Sequence, residues 1–96
     1  MKKYELTGKY KEAGGAKLFR IKALASFENV KEGELGGYIE KEGNLSQEGN
    51  AWVSGNAKVY GNAKVCGNAK VHGNAWVYGD AEVYGSARVS GDTEVS

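Results

Sequence analysis

Proline is absent from this 96-residue sequence, and cysteine, histidine and methionine each occur once. A single cysteine, Cys66, excludes an intramolecular disulfide framework, the usual remedy for a domain too small to bury a large core. It fits a reducing compartment, and the expected location is cytoplasmic. A single histidine, His72, excludes any metal site needing several imidazoles from one chain, so no metal and no cofactor is expected. No apolar run approaches membrane-spanning length and no signal-peptide pattern is visible, so no membrane partner is expected. Net charge is only +1, which is not the footprint of a nucleic-acid binder. The balance is uneven along the chain, with Lys58, Lys64 and Lys70 in the middle and Glu82, Asp92 and Glu94 near the C-terminus.

Glycine, by contrast, is abundant, at 15 residues, and most of it is periodic. From Gly49 the chain divides every six residues into GNAWVS, GNAKVY, GNAKVC, GNAKVH, GNAWVY, GDAEVY, GSARVS and GDTEVS. GNLSQE from Gly43 reads as a degenerate unit, and GYIEKE from Gly37 as an earlier one. Within a unit, Ala-x-Val-x alternates, so Ala and Val face one way and the variable residues the other. So short a strand cannot bury its apolar side alone. Stacking it on an identical strand about 4.8 Å away along an axis closes a continuous interior. Gly and Asn fall at the corners, where Gly leaves the bend unobstructed and Asn tolerates left-handed dihedrals. The Asn amide can also bond to the next Asn in its column. Three units make an eighteen-residue triangular coil around a narrow core running from Ala51 and Val53 to Ala87 and Val89. Leu45 and Ile39 add bulk at the N-terminal end.

The repeat resembles the hexapeptide-repeat family of left-handed parallel β-helices. Val59-Tyr60-Gly61-Asn62-Ala63-Lys64 matches that pattern at Val59 and Ala63, with Gly one place later than the commonest form. The tandem Gly-Asn-Ala-x-Val-x units, preceded by Leu35-Gly-Gly-Tyr-Ile-Glu40 and Asn44-Leu-Ser-Gln47, are most similar to acyltransferase-like proteins of the YdcK type and to small phage and prophage proteins. The resemblance implies an all-β fold: a left-handed parallel β-helix of about three coils over residues 37–96. The hand is implied by the family alone, because the usual crossover rule would give the opposite one.

Residues 1–36 lack the repeat and are expected to form a hairpin-like cap within the same domain. Tyr4 to Thr7 and Lys17 to Leu24 alternate as strands, with a loose turn over Lys9 to Gly15. The competing reading is a helix over Ala16 to Phe27. Gly33, Gly36 and Gly37 are expected to mark the turn into the first coil.

Eighteen-residue columns place Trp52, Lys70 and Arg88 together on one outer face, as a candidate anion or ligand contact, beside Ser54, His72 and Ser90. Lys58, Trp76 and Glu94 share another face beside Tyr60 and Tyr78. The aromatic members of that set are expected to form an exposed contact surface; alternatively, they are strand formers stacked on one another. Cys66 and His72 fall on different faces, which argues against a nucleophilic pair. Family enzymes transfer acyl groups from coenzyme A with a histidine base in a walled intersubunit cleft. Here only His72 could serve as the catalytic residue, and no loop surrounds it. The expected function is therefore a non-enzymatic interaction or assembly module, self-associating as a dimer or trimer or binding a host protein or small ligand. The alternative is an acyltransferase-like protein using an acyl-coenzyme A donor. The repeat still runs at Ser96, so the last coil is expected to present an open edge suited to pairing.

Overall fold

The computed structural model describes residues 2–96. Its strands are β1 (Tyr4–Ala13), β2 (Ala16–Ala23) and β3 (Leu35–Ile39), followed by a 3₁₀ turn at Glu42–Asn44. Then come β4 (Trp52–Val53), β5 (Lys58–Val59), β6 (Lys64–Val65), β7 (Lys70–Val71), β8 (Trp76–Val77), β9 (Glu82–Val83), β10 (Arg88–Val89) and β11 (Glu94–Val95). The chain is a left-handed parallel β-helix of about three coils with an N-terminal hairpin cap.

Each short strand is the x-Val pair of one unit, and the glycine of each unit from Gly49 to Gly91 turns the corner at φ between +63° and +74°. Only glycine enters that region without strain. None of the corner asparagines does, which corrects the role expected for them. They instead bridge successive coils: Asn50 donates to Asn68 and Asn62 to Asp80, both at 3.3 Å.

Three sheets form the walls, in the orders β1-β2-β3-β5-β8-β11, β4-β7-β10 and β6-β9. From Trp52 onward the register is eighteen residues, as in Lys58↔Trp76 and Trp76↔Glu94. The first coil departs from it. Tyr38 pairs with Lys58 and Leu45 with Val65, a register of twenty residues. Ile39 and Leu45 thus occupy the Val slot, not the slot given by units cut at Gly37 and Gly43. The two extra residues are Gln47 and Glu48, since Ser46 N–H still bonds Val65 while Asn50 N–H bonds Gly67. Gln47 has a use. Its Oε1 accepts the backbone N–H groups of Lys3 (2.7 Å) and Tyr4 (3.3 Å), and its Nε2 donates to the Tyr4 carbonyl. The insertion clamps the start of β1. Nearby, buried Asn44 closes the widened coil by accepting from Glu40 and Lys41 N–H and donating to the carbonyls of Gly61 and Ala63.

The interior alternates Ala and Val as expected, each at most 7 % exposed from Ala51 to Val83. At the last coil the pattern fails, because Ala87 is exposed and Val89 half-buried. The other end is closed by Tyr4, Ile21, Val30 and Leu45. The strand reading of residues 16–23 holds and the helix alternative does not. The turn is tighter than expected. β1 runs to Ala13 through an irregularity between Leu6 and Tyr10, and Gly14-Gly15, both at positive φ, make a two-residue hairpin loop. Gly36 and Gly37 are not a turn either. They lie inside β3, where a Cβ on Gly36 would come within 2.7 Å of Val53, Ile21 and Trp52 atoms, and one on Gly37 within 2.7 Å of Ala57 and Val53. Glycine is required there by close approach, and of these three only Gly33 has the positive φ of a turn.

Candidate interaction surface

The six-stranded sheet carries the largest set of aromatic and cationic side chains. Residues paired across strands share a face, so Tyr38, Lys58, Trp76 and Glu94 line up on its outer side. Tyr60 stacks on Tyr78, with centroids 5.3 Å apart and planes inclined by 9°, and meets Trp76 edge-on at 5.9 Å. The Tyr78 hydroxyl donates to Glu94 at 3.2 Å. Lys58 Nζ lies 5.2 Å from the Trp76 ring and 5.9 Å from Tyr38. Tyr38 also receives Lys11 at 4.7 Å and Arg20 at 5.5 Å. Cations and rings therefore alternate from Lys11 on the hairpin through Tyr38 and Lys58 to Trp76, and Glu94 ends the row.

Tyr60, Trp76 and Tyr78 are half-buried rather than exposed, which corrects the expectation of an open aromatic patch. The hairpin tip is one cause: a Cβ on Gly14 would sit 2.6 Å from the Tyr60 ring. The rings spend much of their surface on each other and on the cap. Burial pushes the Lys58 ammonium pKa below its ordinary value, nearby Lys11 adds to that, and Tyr38 opposes it. Burial, then Tyr78 and Glu94, pushes the Tyr60 phenol up. Sequence analysis did not place Tyr38, Lys11 or Arg20 on this surface, because the twenty-residue register of the first coil hides Tyr38 from an eighteen-residue count and Lys11 and Arg20 come from the hairpin.

Lys70 and Arg88 are register neighbours lining an open groove of about 550 Å³ with Glu28, Asn29, Asn68 and Ser86. Trp52 pairs with Lys70 in the expected outer column but does not line the groove. It is 3 % exposed, packed edge-on against Phe27 and Tyr4 beneath the cap, so the solvent exposure expected for it is corrected. Lys70 Nζ is already engaged by Glu28 at 2.5 Å and by the Asn50 carbonyl at 2.9 Å.

His72 is half-buried on the β7 face, and Cys66 lies on another face, lining a groove with Glu42, Lys64 and Glu82. Among the described residues no group of three or more His, Cys, Asp or Glu side chains could hold a metal ion. No helix there is long and apolar enough to cross a membrane.

The last coil has a different character. Among the described residues, β9, β10 and β11 each pair on one side only. Thr93 stands in the Ala slot and is exposed, and Val95 is half-buried. The corner residues change too. Asp80, Ser86 and Asp92 replace asparagine; the Asp80 and Asp92 carboxylates accept but cannot donate, whereas the Ser86 hydroxyl can do both.

The chain matches no protein-family model and no curated protein.

Proposed function

We propose that this protein is a non-enzymatic interaction or assembly module that associates through the outer wall of its six-stranded sheet. The observation that carries this reading is the row of rings and charges on that wall: Tyr38, Lys58, Trp76 and Glu94 stand in register, with Tyr60 stacked on Tyr78 and edge-on to Trp76. Tyr60, Trp76 and Tyr78 keep part of their surface open to solvent, and aromatic rings are enriched in contact surfaces. The partner in this reading is a second copy of the chain; a host protein or small ligand is the competing occupant.

Solution mass by light scattering tests it. The native chain is expected to exceed monomer mass at tens of micromolar. Trp76→Ala with Tyr78→Ala, which strips two rings from the wall, is expected to weaken association at least tenfold. A native monomer at those concentrations overturns the reading. Acyl transfer is tested separately: saturable binding of acetyl-coenzyme A that His72→Ala abolishes would replace this proposal with the enzymatic one.

A further inference from the structure

We propose that the groove on the β4-β7-β10 wall binds a small doubly charged oxyanion of the phosphate class between Lys70 and Arg88, with Glu28 as its built-in competitor. This goes beyond the assembly reading and is independent of it, because the groove lies on a different sheet from the aromatic row. Lys70 and Arg88 pair across β7 and β10, so two like charges stand one strand spacing apart, about 4.8 Å at the backbone. Like charges directly opposite each other repel, and an anion between them removes the repulsion. The rest of the lining offers neutral donors, the amides of Asn29 and Asn68 and the hydroxyl of Ser86. Hydrogen bonds to an ionised oxygen are the strong ones. The one acid in the lining is Glu28. Its carboxylate already stands where an external oxyanion would bind Lys70, with Oε1 2.5 Å from Lys70 Nζ.

Glu28 is held there under strain. Phe27 N–H donates to the Val30 carbonyl at 2.9 Å and Val30 N–H to the Phe27 carbonyl at 2.8 Å, which makes Glu28-Asn29 a two-residue loop. Among the described residues Glu28 is the one non-glycine with positive φ, +45°. Glycine, asparagine or aspartate is the usual occupant of such a loop position. Glutamate there is strained backbone kept in place by its surroundings, and its longer side chain is what reaches Lys70. The ion pairs among the described residues are Lys2–Glu42 and Lys70–Glu28, so the carboxylate engages Lys70 and does not reach Arg88. A monoanion on a strained tether therefore serves half of the cation pair, whereas a free dianion can bridge both. A tethered competitor lowers apparent affinity in proportion to the time that it occupies the site.

The experiment is titration with inorganic phosphate, followed by calorimetry and by amide resonances, at low salt and about pH 7.5, where phosphate is largely a dianion. Glu28→Gln keeps the length of the side chain and removes its charge. It is expected to bind phosphate at least tenfold more tightly than the native chain, with the Asn29, Lys70 and Arg88 amides shifting on titration. Lys70→Met and Arg88→Met, each added to Glu28→Gln, are each expected to lose at least that gain. Acetate, a monoanion, is expected to bind Glu28→Gln at least tenfold more weakly than phosphate. Circular dichroism verifies the fold, and should Lys70→Met unfold, Lys70→Gln tests the same loss. Glu28→Gln that binds phosphate no more tightly than the native chain overturns the role of Glu28. Phosphate that saturates none of these proteins, or that binds regardless of both cation substitutions, overturns the site. Equal affinity for acetate overturns the assignment to a dianion.

Discussion

Tyr60 lies flat on Tyr78, one coil away in the column, with its outer edge under the tip of the hairpin at Gly14. That one stack connects repeat to cap. A ring column on the wall of a β-helix would by itself be a surface feature; with the hairpin laid against it, the column becomes packing.

Tyr60→Ala should therefore destabilise the whole domain, by about 2 kcal/mol, less than the usual cost of emptying a fully buried aromatic site. Tyr60→Phe should cost under about 0.5 kcal/mol, since the ring contacts remain. Urea unfolding of the three proteins checks this. Equal stability of Tyr60→Ala and the native chain would show that the stack contributes nothing.

Gly36→Ala should be worse than any other glycine-to-alanine change away from the corners. Its new methyl would meet the Val53 carbonyl at 2.6 Å, and the obstacle is backbone that cannot step aside. A cost of about 3 kcal/mol is expected, at the upper end for overpacking. Gly43→Ala is the control, because no atom lies within 4 Å of its added carbon and its φ is not positive. It should stay within about 0.5 kcal/mol of the native chain.

Gln47→Ala removes the acceptor of two backbone N–H groups at the start of β1. The expected cost is about 1–3 kcal/mol, the penalty for stranding partly buried donors. Amide hydrogen exchange gives the more specific readout: Lys3 and Tyr4 should lose protection while Val59, Val65 and Val71 keep theirs.

Stability should rise with pH above about 8. Lys3 Nζ sits against the carbonyl of Ala51 (2.8 Å) and the Phe27 ring (5.0 Å). Burial, with Lys70 nearby, lowers its pKa from 10.5 to about 8. Between those values the unfolded chain holds a proton that the folded chain has released, so raising pH favours folding. The gain is on the order of 2–3 kcal/mol by pH 10.5. Tyr4 acts oppositely. Burial and then Glu42 raise its phenol above the ordinary 10.0, so unfolding releases a proton at high pH and stability falls there. Melting curves from pH 7 to 11 should rise and then turn over, and Lys3→Met should abolish the rise. A flat profile in the native chain between pH 8 and 10 would show that Lys3 is no more buried than in the unfolded state.

The parallel coils, their eighteen-residue register from Trp52 onward and the inward Ala and Val were legible in the amino acids. A six-residue period is local information: alternation tells which side of a strand is apolar, and counting tells which unit stacks on which. The hairpin was legible in part, since alternation located β2, but residues from Lys9 to Ala13, expected in a loose turn, continue β1.

What the linear pattern could not decide was everything that depends on the cap lying against the coils. Trp52 and Trp76 follow the same Gly-Asn-Ala, yet Trp52 is buried under Phe27 and Tyr4 while Trp76 remains half-open beside Lys58. The difference is made by a segment twenty-five or more residues away. Gln47 and Glu48 look like a degenerate repeat until the backbone pairing shows them to be an insertion clamped to β1. Repetition along a chain is set by covalent spacing and is readable from it; which repeated position meets water is set by contacts between distant segments, and those exist only once the chain has folded.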